Sequence, residues 1–248
     1  MKKVASYILS PLMLFVLIFW LLFFHLVQVI CRFIGGYPLR KKAVDVLCFL
    51  LTYSQYIMGA RIKLTGFELA PEDRPFIIVS NHQSFMDIPP IIWGFRKHHP
   101  KFVAKKELGK GIPSISYNLK HGGSALIDRD NGRQSITEIG KLGKHIEANN
   151  YCASIFPEGT RSKTGKIRKF QHAGVAMLMK SSPNALIVPL AIDGNYKFMI
   201  NGSFPFRFGV RLTFTVLPPL ETQGKNALEL TEIAERQIRR VLGQEENA

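Results

Sequence analysis

Acidic side chains are scarce in this chain: 18 Asp and Glu stand against 33 Lys and Arg, a formal charge of +15 over 248 residues. A surface that basic calls for an anionic counterpart, whether phospholipid headgroups, phosphorylated substrates or nucleic acid. Cysteine is scarcer still. Cys31, Cys48 and Cys152 lie far apart with no paired spacing, which indicates neither a disulfide framework nor a zinc site and reads as free thiols in a reducing compartment. Familiar glycine signatures are missing too. Gly159 to Lys166 puts Thr164 where a phosphate-binding nucleotide loop needs its second glycine, and Ile167 follows the lysine. Gly109-Lys110-Gly111 ends at Ser114 without the third glycine of a dinucleotide fingerprint, and no glycine follows Ser124 to make a hydrolase nucleophile elbow.

Charge is absent altogether from Val4 to Cys31, and Met13 to Phe24 is almost wholly Leu, Ile, Val, Phe and Trp. As a helix that run suffices for a hydrocarbon core about 30 Å thick. It separates membrane from nucleic acid as the anionic partner. A signal peptide is the rival reading, but bulky residues continue through Val29-Ile30-Cys31-Arg32-Phe33 where a cleavage site needs small ones. Lys2 and Lys3 precede the run and Arg32, Arg40, Lys41 and Lys42 follow it, so the positive-inside tendency pulls both ends toward the cytoplasm. Together with a second apolar stretch, Val44 to Met58, this predicts either a hairpin anchored from the cytoplasmic side or a single crossing.

After Arg61 the texture changes to short apolar runs separated by polar or helical stretches, which predicts an α/β domain over 61–248 behind a membrane-associated segment over 1–60. The expected fold is a mostly parallel central sheet flanked by helices, preceded by an apolar helical anchor. Strands are expected at 76–79, 102–104, 125–127, 153–156 and 186–191, with Val210 to Val216 alternating like an edge strand. Ile136, Ile139 and Ile146 recur at helical spacing with Asn131 placed to cap them, and Ala227, Leu230, Ala234, Ile238 and Val241 stripe a last helix.

The first strand is followed by Ser80-Asn81-His82-Gln83-Ser84-Phe85-Met86-Asp87-Ile88-Pro89-Pro90. On a continuous helix His82 and Asp87 would point about 140° apart. Pro89 and Pro90 put the helix start near Asp87 and leave His82 to Met86 as a folded loop that can bring the two together. A carboxylate on one imidazole nitrogen frees the other to take a proton, giving a general base; as a bare pair the same residues read equally well as turn, cap and surface histidine. The strand at 153–156 runs into Phe156-Pro157-Glu158-Gly159-Thr160-Arg161-Ser162, where glycine and arginine suit a phosphate-bearing ligand and Glu158 suits a substrate hydroxyl or a hold on Arg161; the bland alternative is a solvated turn. Gly123 to Ile127 ends in Asp128-Arg129, and Lys105 and Lys106 follow the strand at 102–104. Parallel strands would deliver all of these to one sheet edge.

These blocks resemble the glycerophospholipid acyltransferases. Asn81, His82, Ser84 and Asp87 match the family's first block, Phe156 through Ser162 its third, Gly123 through Arg129 its second, and Ile187 to Ile192 around Pro189 its fourth, in the family's order over about residues 75–195. Ser116 and Ala125 depart from it. The resemblance implies that His82 deprotonates an acceptor hydroxyl that attacks an acyl thioester while Asp87 orients the imidazole. It also implies that Arg129, Glu158, Gly159 and Arg161, with Lys105 beside them, bind the glycerol phosphate of a lysophospholipid such as lysophosphatidic acid. The donor would be acyl-CoA or an acyl carrier protein thioester; neither metal nor other cofactor is implied, and nucleic acid is not an expected partner. The catalytic domain would sit on the cytoplasmic face of a membrane, the inner membrane in a bacterium. The rival is a non-catalytic module holding anionic lipid, which needs the basic edge but not the His82/Asp87 pair. Phe85, Met86 and the stretch from Phe198 to Phe208 offer apolar side chains for an acyl groove, or for core.

Overall fold

The computed structural model describes residues 1–199 and 204–245. Seven strands form one sheet: β1 (Arg61–Thr65), β2 (Phe76–Ser80), β3 (Lys101–Lys105), β4 (Ala125–Ile127), β5 (Cys152–Ile155), β6 (Leu186–Asp193) and β7 (Arg211–Val216), in the order β1-β7-β6-β2-β5-β3-β4. Strands β6, β2, β5, β3 and β4 run parallel, and β7 runs antiparallel to β6 with β1 parallel to it. The central strands are buried on both faces, which explains their continuous apolar runs. Along β2, Phe76 and Ile78 enter one core while Ile77 and Val79 enter the other, the two-residue alternation of a pleated strand.

The helices are α1 (Lys2–Ser54), α2 (Ile88–Gly94), α3 (Ile115–His121), α4 (Gly132–Asn149), α5 (Ala173–Ser181), α6 (Asn195–Phe198) and α7 (Ala227–Val241). Helices α4, α5 and α7 cover one face through Ile139, Ile146, Leu178, Leu230, Ala234 and Ile238. Asn131 caps α4 by accepting from the Gln134 amide at 3.0 Å. The other face is covered by α2 and by α1, whose Met13, Leu17, Phe24, Val44, Leu47 and Leu51 share a core with Phe76, Val188 and Leu212.

Helix α1 is broken at Gly35 and Gly36, where Gly36 takes φ 61° and ψ −147°, a conformation open essentially to glycine alone. The chain reverses there. The Phe208 amide donates to Ser6 Oγ at 3.0 Å, and the next amide, Gly209, donates to the Met58 carbonyl at 2.8 Å. A straight helix would hold residues 6 and 58 roughly 80 Å apart. Helix α1 thus folds back on itself as a helical hairpin. Its outer face leaves Val4, Ile8, Phe15, Phe19, Leu22 and Leu26 exposed, an apolar surface along a helix long enough to cross a membrane.

Two expectations change. The alternating segment 210–216 is not an edge, because β1 lies outside it; Arg61–Thr65 carries two charges among five residues and gives too short an apolar signal to be read as a strand. Met86, Phe198 and Phe206 are core rather than groove, being no more than 1% exposed; Phe85 and Phe204 are exposed, and residues 200–203 of that stretch lie outside the described residues.

Candidate active site

The loop after β2 is held by its own backbone. Ser84 caps a 3-10 turn over Phe85–Asp87, accepting from the Met86 amide at 3.0 Å, while Asp87 reaches back to the Ser84 amide at 2.9 Å. Pro89 and Pro90 then open α2, where a missing amide proton leaves no bond unmade. Asp87, fully buried, also accepts from the Gln83 amide at 2.7 Å and from His82 Nδ1 at 2.8 Å, all on Oδ2. Its other oxygen, Oδ1, accepts from Asn195 Nδ2 at 2.6 Å. Oδ2 already accepts two backbone N–H groups and Oδ1 the Asn195 side-chain N–H, which suits an acceptor-only carboxylate facing His82 Nδ1. Nδ1 of His82 therefore carries its proton, and Nε2 keeps a lone pair. The His82 ring stacks on Phe156 at 4.0 Å and 16°, which fixes the direction of that lone pair, and its side chain is 16% exposed at the sheet edge.

Outside the loop, Asn81 exchanges a pair of 2.8 Å hydrogen bonds with the backbone of Ile192, and Ser80 Oγ donates to the Leu190 carbonyl, so β6 anchors the root of the loop. On the other side the Ser162 amide donates to the His82 carbonyl at 2.7 Å, fastening the β5 loop to it.

Glu158 has a different task from the one expected of it. Its Oε1 accepts from the His82 amide at 2.7 Å and its Oε2 from the Arg168 amide at 3.0 Å, and no bond to Arg161 forms. Burial is the main influence on its carboxyl, raising it above the ordinary carboxylate range, with the two amides pulling the other way. It is a staple between two loops.

Gly159 and Arg161 are exposed on the β5 loop, with open space over Gly159. Lys105 is exposed at the end of β3, 3.5 Å from Glu107, and Arg129 is exposed beyond β4, next to an ion pair between Lys106 and Asp128. All share the edge at which the parallel strands end. Arg161 belongs to the strand beside that of His82; Lys105 and Arg129 lie two and three strands away, roughly 10 and 14 Å at ordinary strand spacing. Among the described residues no group of three or more His, Cys, Asp and Glu is placed to hold a metal ion.

Asn195 escaped the sequence reading. The only signal was Asp193-Gly194-Asn195 after a buried strand, which reads as an ordinary turn.

A histidine and carboxylate on a loop at the sheet edge, beside a Pro-Glu-Gly loop and an arc of cations, define a class, and sequence comparison agrees. The Acyltransferase family matches residues 61–193, from β1 through β6, and the chain belongs to that family. It is 24% identical over 218 residues to the 1-acyl-sn-glycerol-3-phosphate acyltransferase alpha of Ovis aries, covering 88% of this chain and 73% of the sheep protein. The 1-acyl-sn-glycerol-3-phosphate acyltransferase of Saccharomyces cerevisiae is 25% identical over 211 residues, 84% of this chain and 67% of the yeast protein. The crystal structure of the 1-acyl-sn-glycerophosphate (LPA) acyltransferase PlsC from Thermotoga maritima shares the fold over all of both chains, with a TM-score of 0.80 and 24% identity.

Proposed function

We propose that the protein transfers a fatty acyl group from a thioester, acyl-CoA or acyl carrier protein, to the free hydroxyl of lysophosphatidic acid, forming phosphatidic acid for phospholipid synthesis. The 2.8 Å bond between His82 Nδ1 and Asp87, which leaves Nε2 free at the cationic edge, carries this reading. Nε2 takes the proton of the acceptor hydroxyl as its oxygen attacks the thioester carbonyl; Asp87 steadies the imidazolium. The tetrahedral intermediate expels the thiolate, which takes the proton from His82 and leaves as free thiol. The acceptor's phosphate lies against Arg161, Lys105 and Arg129, and Gly159 leaves the β5 loop backbone open to it. Glu158 serves from behind, holding the His82 loop. The names of the relatives from sheep and yeast support the choice of acceptor.

The exposed apolar face of α1 supports seating on a bilayer, and the positive charges at 2–3 and 32–42 support a catalytic edge on the cytoplasmic side. The test is thiol release from palmitoyl-CoA by detergent-purified protein with a panel of lysolipids, repeated with an acyl carrier protein donor. Release should require lysophosphatidic acid and fall by roughly 10²–10⁴ in His82→Ala, the range for a general base. Release with a different lysolipid only would replace the acceptor. Folded, lipid-binding protein that releases no thiol from either donor would sink the enzymatic reading.

A further inference from the structure

The geometry points to Asn195 as a positioning residue of this reaction: its side-chain N–H holds Asp87 Oδ1 and thereby aims the one carboxylate that aims His82. The inference rests on the reading of His82 and Asp87 as base and orienter.

Three of the four donors on Asp87 come from its own loop and all converge on Oδ2: the amides of Gln83 and Ser84 and Nδ1 of His82. A carboxylate fastened at one oxygen can still rotate about the bond to its Cβ. The 2.6 Å bond from Asn195 Nδ2 to Oδ1 fixes the second oxygen, and with it the plane in which Oδ2 meets the imidazole. Asn195 is itself fully buried and donates from a different part of the chain, 108 residues on. Its own position is well determined. Gly194 takes φ +92°, a left-handed turn that carries the chain from β6 into α6, and a Cβ at that position would collide with the carbonyl oxygen of Arg211. The next residue repeats the clamp, the Tyr196 amide donating to Gln83 Oε1 at 3.3 Å, and Ser84 Oγ lies 3.0 Å from Met199 Sδ. Helix α6 and the residue after it thus meet the catalytic loop through Asn195, Tyr196 and Met199, and Asn195 is the one that touches the carboxylate.

A structural asparagine and a positioning one behave differently on substitution. Loss of the N–H leaves negative charge on Asp87 less neutralised, which holds a proton on His82 more tightly and moves the acid limb of activity to higher pH. Glu158, the other carboxylate at this loop, stays occupied by its two amides in either variant.

The experiment measures kcat, KM and the pH dependence of kcat/KM by thiol release for wild type, Asn195→Ala, the isosteric Asn195→Asp, His82→Ala and Asp87→Asn, each checked by thermal melting. For Asn195→Ala the expected result is a fall in kcat of roughly ten- to a hundredfold with KM for both substrates little changed, the scale of a hydrogen bond to a charged group. The acid limb should shift upward in Asn195→Ala; in Asn195→Asp two buried carboxyls at hydrogen-bond distance share one proton, which keeps a donor on Asp87 Oδ1 and should restore part of kcat. An unshifted limb overturns the proposal, whether activity is intact or lost only in step with melting temperature. Should His82→Ala and Asp87→Asn stay fully active, it is the base and orienter assignment that fails, an outcome distinct from an inert Asn195 beside an essential dyad.

Discussion

Glu158 shows how a residue inside a recognisable block can work at one remove from the ligand. Its two oxygens join the His82 amide to the Arg168 amide, and a glutamine there would present an NH2 group to one of those two donors. Glu158→Gln should therefore lose about 1–3 kcal/mol of stability, the penalty of a buried donor without an acceptor, and lower kcat by loosening the His82 loop. Thermal melting and thiol release read the two effects; unchanged values for both would remove the staple. That His82 and Asp87 meet was legible in the sequence, because Pro89 and Pro90 forbid the helix that would part them. The use of Glu158 was not, since a carboxylate in a Gly-Thr-Arg setting looks the same whether it faces ligand or backbone. Asn195 was less legible still: its partner lies 108 residues away, and no periodicity reports such a pairing.

Among the elements, those with long or well-punctuated patterns were readable. The helix α4 shows its cap and its stripe, and β2, β5 and β6 show themselves as apolar runs because both faces are covered. The strand β1 hides for the opposite reason: Arg61 and Lys63 face outward and leave Ile62 and Leu64 as its only large apolar residues. The reversal within the first helix was not readable from its apolar pattern, and polar contacts tie it to the distant segment 206–209. Ser10 Oγ accepts from the Phe206 amide at 2.8 Å in a fully buried setting. Ser10→Ala should leave that amide unpaired and cost about 1–3 kcal/mol, lowering the melting temperature in detergent. Ser54→Ala, whose hydroxyl bonds only within its own helix among the described residues, is the control, and an equal loss in both would show that the docking bond contributes nothing special.

For the molecule as a whole, a buried lysine bears on how stability follows pH. Lys101 starts β3 at the sheet edge opposite the active site, lining a cavity of about 20 Å³ with Tyr37, Arg40, Lys41, Asp45 and His99. It donates to the Tyr37 hydroxyl at 2.6 Å and lies over the rings of Tyr37 and Tyr151. Burial lowers its pKa to about 7, opposed in part by Cys152 and then Asp45 and reinforced by Arg40 and Lys41. His99 is lowered to about 4, by burial first and then by Lys41, Lys101 and His98. In both cases the unfolded chain holds a proton that the folded protein has given up, so stability rises with pH across the window. For His99 that window runs from about 4 to 6.5, and for Lys101 from about 7 to 10.5. Melting temperature should climb between pH 7 and 9 in wild type, below the range in which the Cys152 thiol, pushed up by burial in the fold, begins to ionise in the unfolded chain, and climb less in Lys101→Met; parallel curves would mean that Lys101 stays charged in the fold.

The contact between the two ends of the hairpin and residues 206–209 also orders events at the ribosome. Ser6 must wait for Phe208, made 202 residues later, which at 5–20 residues per second is roughly 10–40 s. For that interval the long apolar helix lacks its final polar partners at 206–209. A bilayer, or a chaperone standing in for one, would cover its exposed apolar face before the sheet behind it is complete. A nascent chain arrested before Phe206 should already float with membranes while still lacking the buried bonds that lock its first helix to the catalytic body.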